Sequence, residues 1–512
     1  MPSTSPEFPT QDPEAPASDT AIGGFVFDNS YARLPERFHA KLPPAPVAAP
    51  RLIRLNHALA EELGLDAQAL DSPKGAEIFA GNILPQGAEP LAMAYAGHQF
   101  GHYTPQLGDG RAILLGEVID RDGRRRDIQL KGSGRTPFSR RGDGRAALGP
   151  VLREYVVSEA MHALGVPTTR ALAAVTTGEQ VVRDAFLPGG IVTRVASSHI
   201  RVGTFQYFAA QGDHEAVATL ADHAIARHCP QLAGQPDRHL GFYQEVLERQ
   251  AALVAHWMSL GFIHGVMNTD NMAISGETID YGPCAFMDAY DPSTKFSFVD
   301  EYGRYAYVNQ PRIAPWNLAR LAEALLPHVD EDTERGIARL GEILGTFPER
   351  YRVHWRSHMR AKIGLEREAE GDDALIEDLL EAMYQGGADF TLTFRGLADA
   401  VFDDGADETI RDLFAQGDAI RAWLPRWRAR LSQEETGPSE RAKAMRAVNP
   451  VVIARNHRVE AMIDAAVMRD DFGPFEELMR VLAEPFADKP QYAAYQAPPQ
   501  AHERVTLTFC GT

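Results

Sequence analysis

Two acidic groups ten positions apart are the strongest candidates for chemistry in this sequence. The first is the pair Asp270-Asn271, and the second is the triplet Asp280-Tyr281-Gly282. Carboxylate and amide oxygens are ligands that a hard divalent cation such as Mg²⁺ prefers. An acid–amide pair, a short run of residues and an Asp-aromatic-Gly turn are together typical of sites that hold a metal–nucleotide complex.

The motif lacks one residue that a phosphotransferase of the protein-kinase type uses. In kinases an Asp shortly after a His handles the acceptor hydroxyl. The position that would carry this Asp here, two residues after His264, is Val266. The metal ligands are therefore present without the usual base, so the site is either inactive or catalyses a different reaction.

Basic side chains that could bind phosphates precede the acidic groups. Lys131 ends a β-prone run, and Glu154 lies on the following amphipathic helix, where an ion pair would hold the lysine toward phosphates. Arg194 and Arg201 are seven positions apart and could clamp a polyphosphate. Each of these residues alone could be a solvated surface charge. Their order before the acidic groups favours a nucleotide site.

Two glycine-rich segments could bring backbone N–H groups close to a phosphate. Gly108-Asp109-Gly110-Arg111 precedes a predicted strand and adds a delocalised cation, although an ordinary hairpin turn explains it at least as well. Residues 132–145 contain Asp143-Gly144 and four arginines within eleven residues. This segment lacks the Gly-Lys-Ser/Thr ending of a P-loop. It is either an anion-binding flap or a mobile basic surface loop.

The histidines and cysteines give weaker signals. His98 and His102 are four positions apart, but no third ligand has the spacing of a zinc site, so a structural role is favoured. The three cysteines, Cys229, Cys284 and Cys510, are too few for a disulfide framework and fit a reducing compartment. Cys510 could be an exposed redox thiol or an inert one.

Composition predicts a soluble protein of enzyme size. The 512 residues are 44% hydrophobic and 24% charged, which suffices for several domains. A net charge of −19 argues against a nucleic-acid scaffold but allows a local basic pocket. No apolar run is long enough for a transmembrane helix, and the N-terminus lacks a signal-peptide pattern. We therefore expect a cytoplasmic protein without membrane or nucleic-acid partners.

The order of elements predicts an α+β, two-lobed protein-kinase-like fold. A β-rich N-lobe precedes a helical C-lobe that carries the acidic groups, with N-terminal and C-terminal helical extensions. Within the N-terminal extension, the pattern predicts a helix over Ala49–Leu63. The predicted divisions are a disordered leader (1–22), the N-terminal extension (23–91), the N-lobe (92–200), the C-lobe (201–330), a helical C-terminal region (331–490) and a tail with Cys510 (491–512).

Several long motifs follow one another from about Phe25 to the tail. They are His98-Gln-Phe-Gly-His102, Gly108-Asp-Gly-Arg111, Leu130-Lys-Gly-Ser-Gly-Arg-Thr-Pro-Phe-Ser139, Ser158-Glu-Ala-Met-His-Ala-Leu-Gly165, Met267-Asn-Thr-Asp-Asn-Met272, Asp280-Tyr-Gly-Pro283, Asn309-Gln-Pro311 and Trp316-Asn-Leu318. In this order they closely resemble selenoprotein O, known in bacteria as the YdiU family. The resemblance implies a kinase-like fold and transfer of AMP, in some members UMP, to protein Ser, Thr or Tyr hydroxyls. It also implies a reversed nucleotide, whose α-phosphate faces the acceptor.

The resemblance assigns roles to individual positions. It implies a nucleotide-binding set of Gly108, Gly110, Arg111, Lys131, Asp143, Gly144, Arg194, Arg201 and Asp280. It implies Asp270 as proton acceptor, Asn271 and Asp280 as ligands of Mg²⁺ or Mn²⁺, and Glu154 as the ion-pair partner of Lys131. Cys510 stands at the place of the C-terminal cysteine of the family and is a candidate redox residue.

The predicted function is therefore transfer of a nucleoside monophosphate from ATP or UTP to hydroxyls of target proteins. On this interpretation Val266 marks a change of reaction rather than an inactive site. Two alternatives remain open: a kinase-fold phosphotransferase that moves the γ-phosphate, and a non-catalytic nucleotide-binding scaffold with a redox function at Cys510. The apolar Val266 argues against the first.

Overall fold

The structure is a computed structural model that describes residues 22–402 and 406–508. Of the predicted leader, 1–22, all but the last residue lies outside the described residues. Cys510 lies outside them too, and its redox role stays a prediction.

An antiparallel sheet forms the β-rich part of the protein. Its strand order is β1-β3-β6-β7-β10-β9-β2, with β8 paired to β10, and β4-β5 and β11-β12 form two small separate pairs. The strands are β1 (His39–Lys41), β2 (Arg51–Leu55), β3 (Leu91–Met93), β4 (Gly97–Gln99), β5 (His102–Thr104), β6 (Ala112–Ile119), β7 (Arg125–Lys131), β8 (Ala146–Ala147), β9 (Arg170–Val182), β10 (Phe186–Ala196), β11 (Phe262–Ile263) and β12 (Ala285–Phe286).

Helices make up most of the chain after the sheet. They are α1 (His57–Glu62), α2 (Ala67–Leu70), α3 (Pro73–Ala80), α4 (Leu148–Ala163), α5 (Val202–Ala209), α6 (His214–His228), α7 (Arg238–Leu260), α8 (Gln310–Leu325), α9 (Thr333–Gly345), α10 (Phe347–Lys362), α11 (Asp372–Gly386), α12 (Phe390–Ala400), α13 (Ala406–Arg411), α14 (Asp418–Leu431), α15 (Pro438–Val448), α16 (Asn456–Arg469), α17 (Gly473–Leu482) and α18 (Ala493–Gln496). Within the described ranges, none of them combines the length and apolarity needed to cross a membrane. The predicted mixture of β-rich and helical parts is confirmed, and the strands of the main sheet are antiparallel.

The predicted helix over Ala49–Leu63 is wrong. Residues Arg51–Leu55 form β2, which pairs antiparallel with β9, and only His57–Glu62 are helical. Asn56 separates the two elements because its side-chain oxygen accepts a hydrogen bond from the backbone N–H of Leu59 at 3.2 Å, which caps the helix. The N-terminal extension is therefore not purely helical, since β1 and β2 belong to the main sheet.

Two parts of the C-terminal region return to the elements that carry the predicted site. Helices α16 and α17 pack against α4. Near the end of the described chain, Thr508 forms a parallel bridge with Ser297. The Thr508 hydroxyl donates to the carbonyl of Pro283 at 2.6 Å, three residues after Asp280. The far end of the chain thus supports the segment that follows the second acidic group.

Candidate active site

A cleft of about 800 Å³ brings together the residues that the sequence singled out. Its walls include Gly108, Gly110, Arg111, Lys131, Asp143, Gly144, Glu154, Arg194, Arg201, Asp270, Asn271 and Asp280. These positions come from β7, β10 and α4, from the loop before β6, from the loops around residues 140 and 270–280, and from the residue before α5. The remaining predicted site residue, Cys510, lies outside the described residues.

The register of two neighbouring strands places the basic side chains on one face. In the β7–β10 pair, Lys131 lies opposite Val192 and Gln129 lies opposite Arg194, so Lys131 and Arg194 project from the same side. Helix α4 crosses this side and brings Glu154 to both cations. Lys131 Nζ lies 2.6 Å from Glu154 Oε2, and Arg194 Nε donates to Glu154 Oε1. The predicted Lys131–Glu154 ion pair is present.

Asp280 is the point on which the cations converge. Lys131 Nζ lies 2.9 Å from Asp280 Oδ1, Arg194 donates to the same oxygen, and Arg201 Nη2 lies 3.7 Å from Oδ2. Burial alone would raise the pKa of Asp280, but the three cations hold it well below its usual range. The residue has a positive φ of 65°, which is uncommon for a side chain other than glycine. Its strained backbone and its charged partners keep the carboxylate ionised and directed at the cleft.

Arg201 is held by two residues that the sequence did not single out as functional. Its guanidinium lies 3.4 Å from Asp109 Oδ1 and 4.3 Å from the centre of the Tyr95 ring. The other oxygen of Asp109 accepts hydrogen bonds from the backbone of Met93 and from Gln129, each at 3.1 Å. Asp109 could have been found, because it is the residue between the two predicted phosphate-binding glycines. Nothing in the sequence pattern pointed to Tyr95.

Asp270 has the surroundings of a proton acceptor. It lies in a short 3₁₀ turn, Thr269–Asn271, and its side chain is buried. Oδ2 lies 3.5 Å from Gln99 Nε2, while Oδ1 has no hydrogen-bond partner among the residues that the structure describes. Burial raises the pKa of Asp270 to about 7. A carboxylate with this pKa is poised to take a proton near neutral pH.

Two small features shape the surroundings of Asp270. Position 97 must be glycine, because a Cβ there would lie 2.3 Å from Asp270 Oδ1. The amide nitrogen of Asn271 donates to the carbonyl oxygen of Val266 at 3.0 Å, which leaves the amide oxygen for another partner. Val266, at the position of the kinase base, therefore orients the neighbouring candidate metal ligand through its backbone.

Hydrogen bonds from the hairpin β4–β5 hold the loop that carries Asp270 in place. The backbone N–H of His98 donates to Thr269 Oγ1 at 2.7 Å, and that of Phe100 donates to Asn268 Oδ1 at 3.2 Å. His98 itself has a protein partner, since Gln206 Nε2 lies 2.8 Å from its Nδ1. Gln99, which contacts Asp270, lies inside the motif that begins at His98, but no residue pattern marks it as functional.

The glycine-rich segments form the rim of the cleft. Gly108 has a φ of 66° and packs against Phe138 so closely that a Cβ would lie 2.2 Å from the ring. Gly144 has a φ of 71°, and a Cβ there would lie 2.1 Å from the carbonyl oxygen of Gly134. Beside it, Asp143 forms an ion pair with Arg183 at 2.9 Å. In this arrangement Asp143 restrains the basic loop at the rim.

The residues present fit a hard divalent cation. The amide oxygen of Asn271 and the carboxylate of Asp280 are oxygen donors of the kind that Mg²⁺ and Mn²⁺ bind, and both side chains line the cleft. Across residues 22–402 and 406–508, no group of three or more His, Cys, Asp or Glu side chains has a metal-binding arrangement. A cation at this site would therefore take its remaining ligands from water and phosphate oxygens, as Mg²⁺ commonly does.

The geometry combines three functions in one cleft. Three cations form a basic wall that can bind an anion, two oxygen donors can hold a metal ion, and a buried carboxylate, one of whose oxygens lacks a partner among the described residues, lines the same cleft. This set can bind a metal–polyphosphate and remove a proton from a hydroxyl group.

Comparison with known proteins agrees with the motifs. A family model described as "Protein adenylyltransferase SelO" matches residues 24–483. The chain is 62% identical over 488 residues to a "Protein nucleotidyltransferase YdiU" of Bradyrhizobium diazoefficiens, which covers 95% of this chain and 99% of the relative. Proteins of the same name from Rhodopseudomonas palustris and Rhizobium etli are 62% and 60% identical over 488 residues, covering 95% of this chain and 99% and 97% of the relatives.

Proposed function

The chain belongs to the SelO family of protein adenylyltransferases, and we propose that its cleft transfers AMP or UMP from ATP or UTP to Ser, Thr or Tyr hydroxyls of target proteins. The observation that carries the proposal is the convergence of Lys131, Arg194 and Arg201 on Asp280, beside Asp270 with its unpartnered oxygen. The family relationship supports nucleotidyl transfer, and the geometry supports the assignment of roles.

In the proposed reaction the acceptor hydroxyl oxygen attacks the α-phosphorus of the nucleotide. The bond between that phosphorus and the oxygen bridging to the β-phosphate breaks, and pyrophosphate leaves. Asp270 takes the hydroxyl proton, for which its pKa of about 7 is well suited. Atoms and charge balance without a further co-reactant.

Lys131, Arg194 and Arg201 hold the β- and γ-phosphates, which are the leaving group. They stabilise the charge that develops there as the bond breaks. Glu154 keeps Lys131 and Arg194 in place, and Asp109 and Tyr95 do the same for Arg201. A Mg²⁺ or Mn²⁺ ion held by Asn271 and Asp280 would neutralise part of the phosphate charge. The glycines at 108, 110 and 144, with Arg111, allow the chain to approach the nucleotide closely.

We also infer that the cleft lies between two lobes in the manner of a protein kinase. Its walls come partly from the sheet strands β6, β7 and β10 and partly from the loop 264–283, which follows α7. Three cysteines are too few for a disulfide framework, which supports a cytoplasmic location for this activity.

Labelled nucleotides test the proposal. Purified protein is incubated with α-labelled or γ-labelled ATP, with α-labelled UTP, and with Mg²⁺ or Mn²⁺, and the label on protein is measured together with the intact mass. We expect label only from the α position, with release of pyrophosphate.

Each alternative makes a different prediction in the same experiment. Label retained from the γ position would establish a phosphotransferase instead. Nucleotide binding without label from either position would favour a non-catalytic scaffold. Transfer that persists in Cys510→Ser would show that the thiol is not required for the chemistry, as we expect.

A further inference from the structure

Helix α4 carries two neighbouring charged residues that leave it in different directions. Successive residues of an α-helix point about 100° apart, so Arg153 and Glu154 cannot face the same partners. Glu154 contacts Lys131 and Arg194 in the cleft. Arg153 is only 3% exposed and reaches the C-terminal region instead. The proposed reaction, as described so far, gives this buried arginine no part.

Arg153 joins three separate segments of the chain. Its Nη1 donates to the carbonyl oxygen of Cys284 at 3.1 Å, and its Nη2 donates to Asn456 Oδ1 at 3.0 Å and to the carboxylate of Glu460. Cys284 follows Asp280 by four positions, whereas Asn456 and Glu460 lie one turn apart on α16. A guanidinium presents its donors in a rigid planar fork. Its three acceptors therefore set the spacing between α4, α16 and the segment after the metal-binding turn.

A second buried arginine fixes the position of α16 itself. Arg455, at the start of this helix, is 1% exposed. Its Nη1 lies 2.5 Å from Asp288 Oδ1 and 2.8 Å from Asp389 Oδ2. Because Asp288 is four residues after Cys284, the two arginines hold the two ends of one short segment. The start of α16 is thus tied both to this segment and, through Arg153, to α4.

Apolar contacts between α4 and the last helices add to these bonds. The rings of Tyr155 on α4 and Phe475 on α17 meet edge to face, with their centres 5.5 Å apart. A Cβ at Gly149 would lie 2.9 Å from Cγ2 of Ile463 on α16, so α4 and α16 approach closely there. Gly149 and Arg153 are four positions apart and hence lie on one face of α4. The same face carries the close helix contact and the buried ion pair.

We propose that Arg153 and Glu460 are positioning residues for the transfer reaction. The contact between Lys131 and Glu154 requires α4 to keep a fixed distance from the sheet, and the bonds to α16 set that distance. A misplacement of about 1 Å at a reacting group can cost about 10²-fold in rate. The C-terminal region therefore acts on the chemistry through α4. The inference rests on the proposed function and adds to it the part of the chain that keeps the basic wall in place.

A substitution on α16 tests this path at a distance from the cleft. Glu460→Ala removes the charged partner of Arg153 at a side chain that is 37% exposed, so the fold has room to accommodate the change. Incorporation of label from α-labelled ATP into protein is measured with the full chain as a first-order rate at saturating ATP. We expect this rate to fall about 10-fold to 10²-fold. The matched control is Asp464→Ala, because Asp464 is an exposed acid one turn further along α16, and it should keep the wild-type rate.

A double-mutant cycle distinguishes positioning from a merely structural role. If Glu460 acts through Glu154, then adding Glu460→Ala to a Glu154→Ala variant should lower the remaining rate by less than about twofold. A structural role predicts the same loss factor in both backgrounds. Urea unfolding of each variant establishes that only folded protein is compared.

Two conservative variants test the path without the Glu154 background. Glu460→Gln keeps an oxygen acceptor for Arg153 and should retain the rate within about threefold. Arg153→Lys keeps the charge but replaces the planar fork by a single ammonium group, which cannot hold three acceptors in place. This variant should lose about as much rate as Glu460→Ala.

The outcomes separate this inference from the proposed function. Wild-type rates in both Glu460→Ala and Arg153→Lys, or equal loss factors in the two backgrounds of the cycle, overturn the positioning role and leave the transferase proposal standing. If the wild-type protein incorporates no label from the α position, the transferase proposal is wrong and this inference falls with it.

Discussion

The two ends of strand β7 carry buried charges that are arranged differently. At the cleft end, Lys131 and Arg194 share Glu154 and Asp280, and Arg201 approaches Asp280 as well. At the other end, Asp127 binds Arg227 at 2.5 Å and His199 at 3.0 Å, and Arg227 also binds Glu117 at 3.1 Å. Both networks use arginines and carboxylates on the same sheet. The first network lines a cleft of about 800 Å³.

The difference lies in how far the oxygens are satisfied. In the closed network around Asp127, both oxygens of Asp127 and both oxygens of Glu117 accept hydrogen bonds from protein donors. We call the charged residues at the cleft, from Lys131 to Asp280, the open network. There the second oxygen of Asp280 has only a distant guanidinium at 3.7 Å, and Asp270 Oδ1 has no partner within the described ranges. Buried charge alone therefore does not mark a functional site. The charged residues at the cleft end also line a cavity, and some of their oxygens have no hydrogen-bond partner among the described residues.

The largest effect that would test this contrast is expected for Asp280→Ala. Transfer should fall by about 10⁴-fold or more, since single electrostatic groups at phosphoryl-transfer centres contribute about 10³–10⁵-fold. Binding of the metal–nucleotide should be lost as well, as measured by label transfer and calorimetry. The exposed Asp418→Ala serves as control and should keep full activity. Wild-type-like transfer by the Asp280 variant would contradict the role of the open network.

Asp270→Asn should have the next largest effect. A general base typically contributes about 10²–10⁴-fold, and we expect a loss of kcat in this range with the nucleotide Kd nearly unchanged. Single-turnover kinetics and equilibrium binding measure the two quantities separately. A variant that loses nucleotide binding and keeps its rate at saturation would show that Asp270 binds nucleotide rather than accepting a proton.

Asp127→Asn should affect stability instead of chemistry. Removing one partner of a buried ion pair costs about 3–5 kcal/mol, because it leaves the other charge uncompensated. The matched control is Asp222→Asn. Asp222 also binds an arginine and a histidine, Arg238 and His239, but its side chain is 47% exposed. That control should cost at most about 1 kcal/mol. Equal losses of unfolding free energy in the two variants would contradict the assignment of a closed structural network.

Binding of a metal–nucleotide complex at the open network should stabilise the folded protein. At a free ligand concentration of about 100 times Kd, the expected gain is about 2.7 kcal/mol, visible as a higher Tm. The gain should persist in Asp127→Asn, measured from that variant's own lower Tm, and should disappear in Asp280→Ala. Loss of the gain in Asp127→Asn would mean that the two networks are coupled.

The smallest expected effect concerns pH. Burial opposes ionisation of Asp127, but Arg227 and His199 outweigh it and hold its pKa below the usual value of 3.8. An acid with a lowered folded-state pKa contributes stability that is present above the unfolded value and is lost as pH falls through the folded value. The difference in unfolding free energy between wild type and Asp127→Asn should therefore be constant above about pH 5 and shrink below it, by at most about 1.4 kcal/mol per pH unit. A difference that stays constant down to pH 3 would show that Asp127 is not ionised in the folded protein.

The sequence indicated the open network much better than the closed one. Asp270, Asn271 and Asp280 lie within one short segment. Lys131 ends a recognisable strand and Glu154 lies on a recognisable helix, so local patterns located all five residues. Asp127, His199 and Arg227 come from distant parts of the chain and carry no motif, so only the folded structure brings them together. The same reason explains the error at Ala49–Leu63, because the partner of β2 is the distant strand β9.

The hydrogen bond from the Thr508 hydroxyl to the Pro283 carbonyl has a consequence for biosynthesis. The turn at Asp280 receives its last support from a residue that the ribosome adds more than two hundred positions later. Domains generally fold as they are synthesised, from the N-terminus onward. A nascent chain can therefore form the sheet and the basic side of the cleft while the turn at Asp280 still lacks that contact. The turn gains this hydrogen bond only after the strands and helices that line the cleft have been synthesised.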